Sequence, residues 1–309
     1  MTDPSLSGEV PALHLVLKGH KKPVTGLAFN LHKQQFASCS EDGAIVVWSS
    51  WTNSIKKPTY RFEGHTDVVT DIEYSPDCSI LASSCKDRTV RLWVPKLVGG
   101  FVQFKPHTSP VYTLNFSPDG TKLITGAGDK SVKLWDVKSQ QFIASYVGHT
   151  NRVKCARFSP EGDLIASCSD DKTVRVWDSV SRQLVHAFTH RTAPNYVATH
   201  ANNNTVAVAM ESGSVRVYDM RNKALQQHYV VHDNTTCVDW HPKVNYLLSC
   251  GRDGKIRIID IMEGRPLYTL SANDNPVLNC KFSRDGHYFI TGGSDHYIFV
   301  WKTNFIYEK

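Results

Sequence analysis

The chain has 309 residues, 41% of them hydrophobic and 10% aromatic, and 35 Lys and Arg against 29 Asp and Glu give a formal net charge of +6. This is apolar material for a full core in one or two domains, and it excludes bulk disorder or a small disulfide-stapled scaffold. No apolar run approaches the roughly 18–20 residues that span a bilayer, and the charge, spread along the chain, gives a modest bias toward acidic partners such as RNA, anionic lipid or cytoskeletal polymers.

From the N-terminus, "MTDPSLSGEVPALHLVLKGH" lacks the basic and small-residue pattern of a secretory leader. Residues 1–11 read as a disordered lead, and "ALHLVLKGH" (12–20) has strand character. A unit then recurs over 19–62, 64–105, 106–147, 148–188, 189–230, 231–271 and 273–302, followed by a tail at 306–309. Its core is "SCSEDGAIVVWS" (38–49), "SSCKDRTVRLWV" (83–94), "TGAGDKSVKLWD" (125–136), "SCSDDKTVRVWD" (167–178), the decayed "VAMESGSVRVYD" (208–219), "SCGRDGKIRIID" (249–260) and "TGGSDHYIFVWK" (291–302).

The terminal aromatic or its substitute falls at Trp48, Trp93, Trp135, Trp177, Tyr218, Ile259 and Trp301, with spacings of 45, 42, 42, 41, 41 and 42. An upstream marker at His20, His65, His107, His149, His190, His232 and Asp274 keeps nearly the same period. Each unit offers short β-rich runs such as "VKCARFS", "DLIASCS" and "TVRVWD" between turn signals, with no sustained helical period. Valines and leucines on both parities of a strand suit sheets buried on both faces.

"GH…WD" at this period resembles the WD40-repeat superfamily across nearly the whole chain. The resemblance implies an all-β, seven-bladed propeller filling 12–305, with four-stranded blades. The last unit has no room for its own outer strand after Trp301, so residues 12–18 are expected to complete it and remove an exposed edge.

Ser167, Asp171 and His149 together suggest a hydrolase triad. In the superfamily these positions instead form a buried tetrad with the strand Trp, here His149/Ser167/Asp171/Trp177. Matching sets are His20/Ser38/Asp42/Trp48, His65/Ser83/Asp87/Trp93 and His107/Thr125/Asp129/Trp135. Four copies, one with Thr for Ser, argue for a brace in which no buried polar group goes unpaired, because a catalytic serine needs a pocket, an oxyanion hole and normally one copy. No catalytic residue, cofactor, metal or small-molecule substrate is expected.

Unit five replaces Ser, Asp and Trp by Val208, Ser212 and Tyr218, so His190 is expected to have no network; unit six ends in Ile259; unit seven has Asp274 for His. Loosened loops there would be free for a partner, though neighbouring blades could equally support such units. Cys39, Cys168 and Cys250 share one strand register that suits buried packing, and all eight cysteines read as reduced intracellular thiols. "TGAGDKS" (125–131) lacks phosphate-loop spacing, and Lys21–Lys22, Lys56–Lys57 and Lys105 are too scattered for a nucleic-acid track.

Loop geometry places the turn residues Glu41, Lys86, Gly128, Asp170, Glu211, Arg252 and Ser294 around one face. Lys22, Asp67, Arg152 and Arg191, just after the His marker, are expected near them. Such a mixed-charge ring suits a protein partner better than phosphates or a membrane. "YRFEGHTDVVTDIEYSP" (60–76), "DRTVRLWVPKLVGG" (87–100), "LQQHYVVH" (225–232), "IDIMEGRPLYTL" (259–270) and "GGSDHYIFVWKTNF" (292–305) resemble the centriolar WD-repeat family named for the proteome of centriole. That resemblance implies a non-enzymatic scaffold in the cytoplasm and cytoskeleton, at centrosome, centriole and cilium basal body, with centriole components, tubulin or microtubules as partners. The alternative is an adaptor in an RNA-processing, chromatin or ubiquitin-ligase complex. Family members usually add a C-terminal coiled coil; no heptads follow Trp301, so coiled-coil avidity is not expected from these residues.

Overall fold

The computed structural model describes residues 10–49, 58–94, 100–272 and 274–305. Most of the expected lead, the tail at 306–309, Lys56–Lys57 and residues 95–99 of the second signature stretch lie outside them.

Seven four-stranded antiparallel sheets follow one another along the chain. Blade one takes Val24–Phe29, Gln35–Ser40, Ile45–Ser49 and Pro58–Phe62 from inside to outside. The other inner strands are Val69–Tyr74, Val111–Phe116, Val153–Phe158, Pro194–Thr199, Thr235–Trp240 and Val277–Phe282. Each packs on the next, and the last packs back on Val24–Phe29, which closes a ring around a central channel.

Middle strands are covered by both neighbouring blades, and Thr205–Met210 is buried at every position. Small residues let blades approach closely: a Cβ on Gly292 would meet Val24 Cγ1 at 2.7 Å. Outer strands show the opposite pattern, as in Ala224–Val230, where Gln227 and Tyr229 alone turn inward.

Blade seven is completed by the N-terminal strand Ala12–Lys18, which pairs antiparallel with Tyr297–Lys302. Leu13 lies opposite Trp301 and Lys18 opposite Tyr297, with a slip around His14. Leu17, 3% exposed, packs with Ile298, Val300, Val46 and Trp48 between blades seven and one.

The ring has two unlike faces. The top carries the turns between second and third strands and the loops that lead into the inner strands. The bottom carries the turns that follow the inner strands, such as Ser117–Gly120. Every inner strand has a β-bulge just below the top, at Thr25, Thr70, Tyr112, Lys154, Asn195, Thr236 and Leu278. Bulges re-aim side chains, and here seven of them ring the upper mouth of the channel.

Candidate docking face

The frame below this face is the repeated brace. In blade four, Trp177 Nε1 donates to Ser167 Oγ at 2.8 Å, the hydroxyl meets His149 Nε2 at 2.8 Å, and Nδ1 meets Asp171 Oδ2 at 2.8 Å. With the carboxylate ionised, Nδ1 carries the ring proton and Nε2 accepts from the hydroxyl, so every group is paired. The same relay joins Trp48, Ser38, His20 and Asp42; Trp93, Ser83, His65 and Asp87; and Trp135, Thr125, His107 and Asp129. The hydroxyl groups are sealed from solvent, and each histidine is buried. A serine so placed cannot reach a substrate.

Burial acts to raise the Asp171 carboxyl, but hydrogen bonds from Thr173, the Thr150 amide and His149 outweigh it and hold the group at about 2. Asp42, Asp87 and Asp129 are likewise held below the usual carboxylate range.

Blade five corrects one expectation: His190 does have partners. Arg216 Nη1 lies 3.1 Å and Tyr218 Oη 3.3 Å from its Nδ1. Both donate, so Nδ1 must accept and the proton moves to Nε2, which is buried without a partner. Burial, then Arg216, push the imidazole down to about 4. Arg216, two residues before the lost tryptophan, thus meets the Nδ1 that an Asp meets in the braced blades. Blade six keeps His232 on Asp253 at 2.9 Å and on Ser249 at 3.0 Å, with Arg257 on Asp253 at 3.0 Å. Blade seven keeps Trp301 on Thr291 at 3.1 Å, while Asp274 is exposed.

His65, Cys85 and Asp87 offer ligand atoms within 4.8 Å of one another. All are already used: the thiol, pushed up to about 12 by burial, donates to Asp67 O at 3.2 Å, and the other two belong to the brace. A metal would have to dismantle blade two to bind there.

Above this frame, one hydrogen bond repeats seven times. The amides of Glu41, Lys86, Gly128, Asp170, Glu211, Arg252 and Ser294 donate to the carbonyls of Pro23, Val68, Pro110, Arg152, Ala193, Asn234 and Pro276, at 2.9–3.1 Å. The turn residues and the post-marker loops therefore share one rigid face. Lys22, Asp67, Arg191, Glu211 and Arg252 are exposed on it; Glu41, Lys86 and Ser294 are half-buried. Direct ion pairing gathers at blade four, where Arg152 meets Asp170 and Lys154 Nζ lies 2.6 Å from the same carboxylate.

The bulged residues extend this group. Thr25, Thr70 and Thr236 donate to the next blade's Val69, Val111 and Val277 carbonyls at 2.5–2.7 Å. In blades three to five the threonine is replaced. Arg152 lies over the Tyr112 ring at 5.6 Å, Lys154 donates to Asn195 Oδ1 at 3.0 Å, and Asn195 donates to Asn234 Oδ1 at 3.0 Å. An aromatic ring, two cations, a carboxylate and two amides thus line one arc of the mouth. Such a mixture suits protein recognition, in which Tyr and Arg anchor contacts and amides fix register.

Sequence reasoning missed these bulged residues and also the charges lower in the channel. Arg157, from blade four, reaches Asp71 of blade two at 3.0 Å and Tyr196 Oη at 2.7 Å. Lys281 donates to Asp239 at 2.9 Å. Asn115 Nδ2 donates to Glu73 at 2.7 and 2.8 Å, and the Phe116 amide does so at 3.0 Å. The available signal was periodicity: Ala28, Glu73, Asn115, Arg157, Ala198, Asp239 and Lys281 repeat at the spacings of the terminal aromatics.

Comparison with known proteins bears on the whole ring. A family model described as the IFT122 first beta-propeller matches residues 110–305, and one described as WD domain, G-beta repeat matches 12–49 and 56–94. The chain belongs to the WD40-repeat β-propeller family. This WD40 chain is similar to the target of rapamycin complex subunit wat1 of Schizosaccharomyces pombe, 29% identical over 107 residues, 34% of each chain. It is also similar to human cilia- and flagella-associated protein 52, at 24% identity over 37% of this chain and 19% of the relative. Eukaryotic translation initiation factor 3 subunit I of Schizosaccharomyces pombe is 33% identical over 26% of this chain and 23% of its own length. The matched segments span about a third or less of these curated relatives.

Proposed function

We propose that this WD40 propeller is a non-enzymatic scaffold of centrioles and basal bodies. It docks centriole proteins, with microtubule walls a further candidate, to support centriole assembly, length or stability and thereby cilium formation. The observation that carries the docking role is the stitched top face, where Tyr112, Arg152, Lys154, Asp170, Asn195 and Asn234 form one connected arc on a rigid frame. The cellular address rests on the five signature stretches, and similarity to a cilia- and flagella-associated protein supports it. A second reading, an adaptor in another multiprotein complex, draws support from the relatives named as subunits of a target of rapamycin complex and of an initiation factor.

Fluorescently tagged chain expressed at low level beside a centriole marker separates the two. Sharp accumulation at centrioles is expected; a diffuse signal, or stable co-purification with another complex instead, favours the adaptor. Docking is tested by K86E, R152E and R252E together. Partner capture should fall at least tenfold with the melting temperature held, and intact capture would rule this face out.

A further inference from the structure

At the opposite end from the docking face, the channel opens into a cavity of about 380 Å³. Its walls are the lower ends of the inner strands, and its rim includes Pro76, Pro118 and Pro160 from the turns beyond them. Phe29, Phe116 and Phe158 add apolar wall, while Glu73, Asp71, Asp239, Arg157 and Lys281 supply charge. The charges are not evenly matched. Asp71 is paired with Arg157 and Asp239 with Lys281, at 3.0 and 2.9 Å. Glu73 receives only neutral donors, the Asn115 amide and the Phe116 N–H, and no cation stands within ion-pair distance of it among the described residues. It is half-buried in the cavity wall.

We propose that this lower mouth is a second binding site, distinct from the docking face, and that it takes the alkylammonium of a lysine side chain presented by a partner protein. The hydrogen-bond count selects ammonium over guanidinium. A carboxylate offers about four acceptor positions. Asn115 occupies one on each oxygen and the Phe116 amide a second on Oε2, leaving one on Oε1. A single open position suits a point-charge donor, whereas guanidinium binds best through two parallel bonds. The phenylalanine and proline wall suits the four-carbon stem, which packs on apolar surface while its head seeks charge.

The protonation state of Glu73 fits this role. Burial, opposed by Arg157, pushes its carboxyl up to about 7. An incoming ammonium would therefore capture the ionised form and release a proton. The other charged or titratable groups facing this region are Asp71, Tyr74, Arg157, Asp239, Lys281 and Tyr196; the inner strands of blades one and three contribute Ala28 and Asn115 here.

The test uses the full chain labelled with δ-¹³C glutamate, titrated with Nα-acetyl-lysine methylamide. Its Nε-acetylated counterpart serves as the uncharged control and n-butylamine as the free-amine arm. The expected result is a saturable shift of the Glu73 carbon with the lysine probe, a weaker one with butylamine and none with the acetylated probe. Because lysine stays charged throughout, affinity should rise roughly tenfold from pH 6 to pH 8 as Glu73 ionises, and E73Q should abolish binding. Affinity independent of pH in the unaltered chain, or equal binding by the acetylated probe, would overturn the proposal even if E73Q folds poorly. Equal affinity for butylamine and the lysine probe would overturn the assignment to a protein partner.

Discussion

Val208 occupies the position at which the other six blades place a hydroxyl, Ser38, Ser83, Thr125, Ser167, Ser249 or Thr291. His190 beside it carries a buried Nε2 with no partner. A buried hydroxyl without a partner ordinarily costs about 1–3 kcal/mol, but V208S supplies an acceptor to an N–H that lacks one. Urea melts should therefore show a loss below about 1 kcal/mol, or a gain. Trp177→Phe is the converse case: it leaves the Ser167 hydroxyl without its indole donor and should cost about 1–3 kcal/mol. The brace also sets acid stability. Asp171 titrates at about 2 when folded against 3.8 when free, so its contribution is fully present above about pH 4 and is lost as pH falls toward 2. His149 and His232 are lowered by burial and only partly held up by their Asp partners, so they add a loss as pH falls below 6.5. Melting temperature should thus decline gently from pH 6.5 and steeply below pH 4, and D171N should flatten part of the lower limb.

At the scale of the strand, repetition decided what could be read from sequence. The Trp and His markers recur in type as well as position, and from them the blade count, the turn positions and the closing strand were all legible. The bulged residues keep the same period, but their types run Thr, Thr, Tyr, Lys, Asn, Thr and Leu, so nothing in a search for likeness marks them out. The same holds for Glu73, Arg157, Asp239 and Lys281, whose partners on other blades lie 39 to 86 residues away. His190 was misread for a related reason: its new partner Arg216 belongs to no brace motif. Structure is conserved across the repeats of one chain, whereas a binding site needs the blades to differ. The closing strand gives the element-scale prediction. Deleting residues 1–18 removes the Leu17 contact and exposes the Tyr297–Lys302 edge, which should lower the melting temperature on the order of 10 °C. An unchanged melt would show that the strand is dispensable for closure.

For the whole molecule, the two ends of the channel are chemically distinct: an arc of aromatic, amide and paired charge above, a cavity with one unpaired carboxyl below. Between them, three neighbouring pairs of blades are tied by side chains that accept the next blade's backbone amide: Glu73 from Phe116 at 3.0 Å, Asn115 from Phe158 at 2.7 Å and Asp239 from Phe282 at 2.8 Å. The K86E/R152E/R252E protein should therefore keep a normal melt, and partner loss can be read as a surface effect. Ring closure has a further consequence during synthesis. Lys18 finds its partner Tyr297 only 279 residues later. At about 5–20 residues per second a ribosome needs roughly a quarter-minute to a minute for that distance. Throughout that interval the first strand emerges with no mate and the first blade has one flank uncovered. Production of this protein in cells should accordingly depend on how well the nascent chain is shielded, and slowing the ribosome late in the message should lower its yield more than slowing it early.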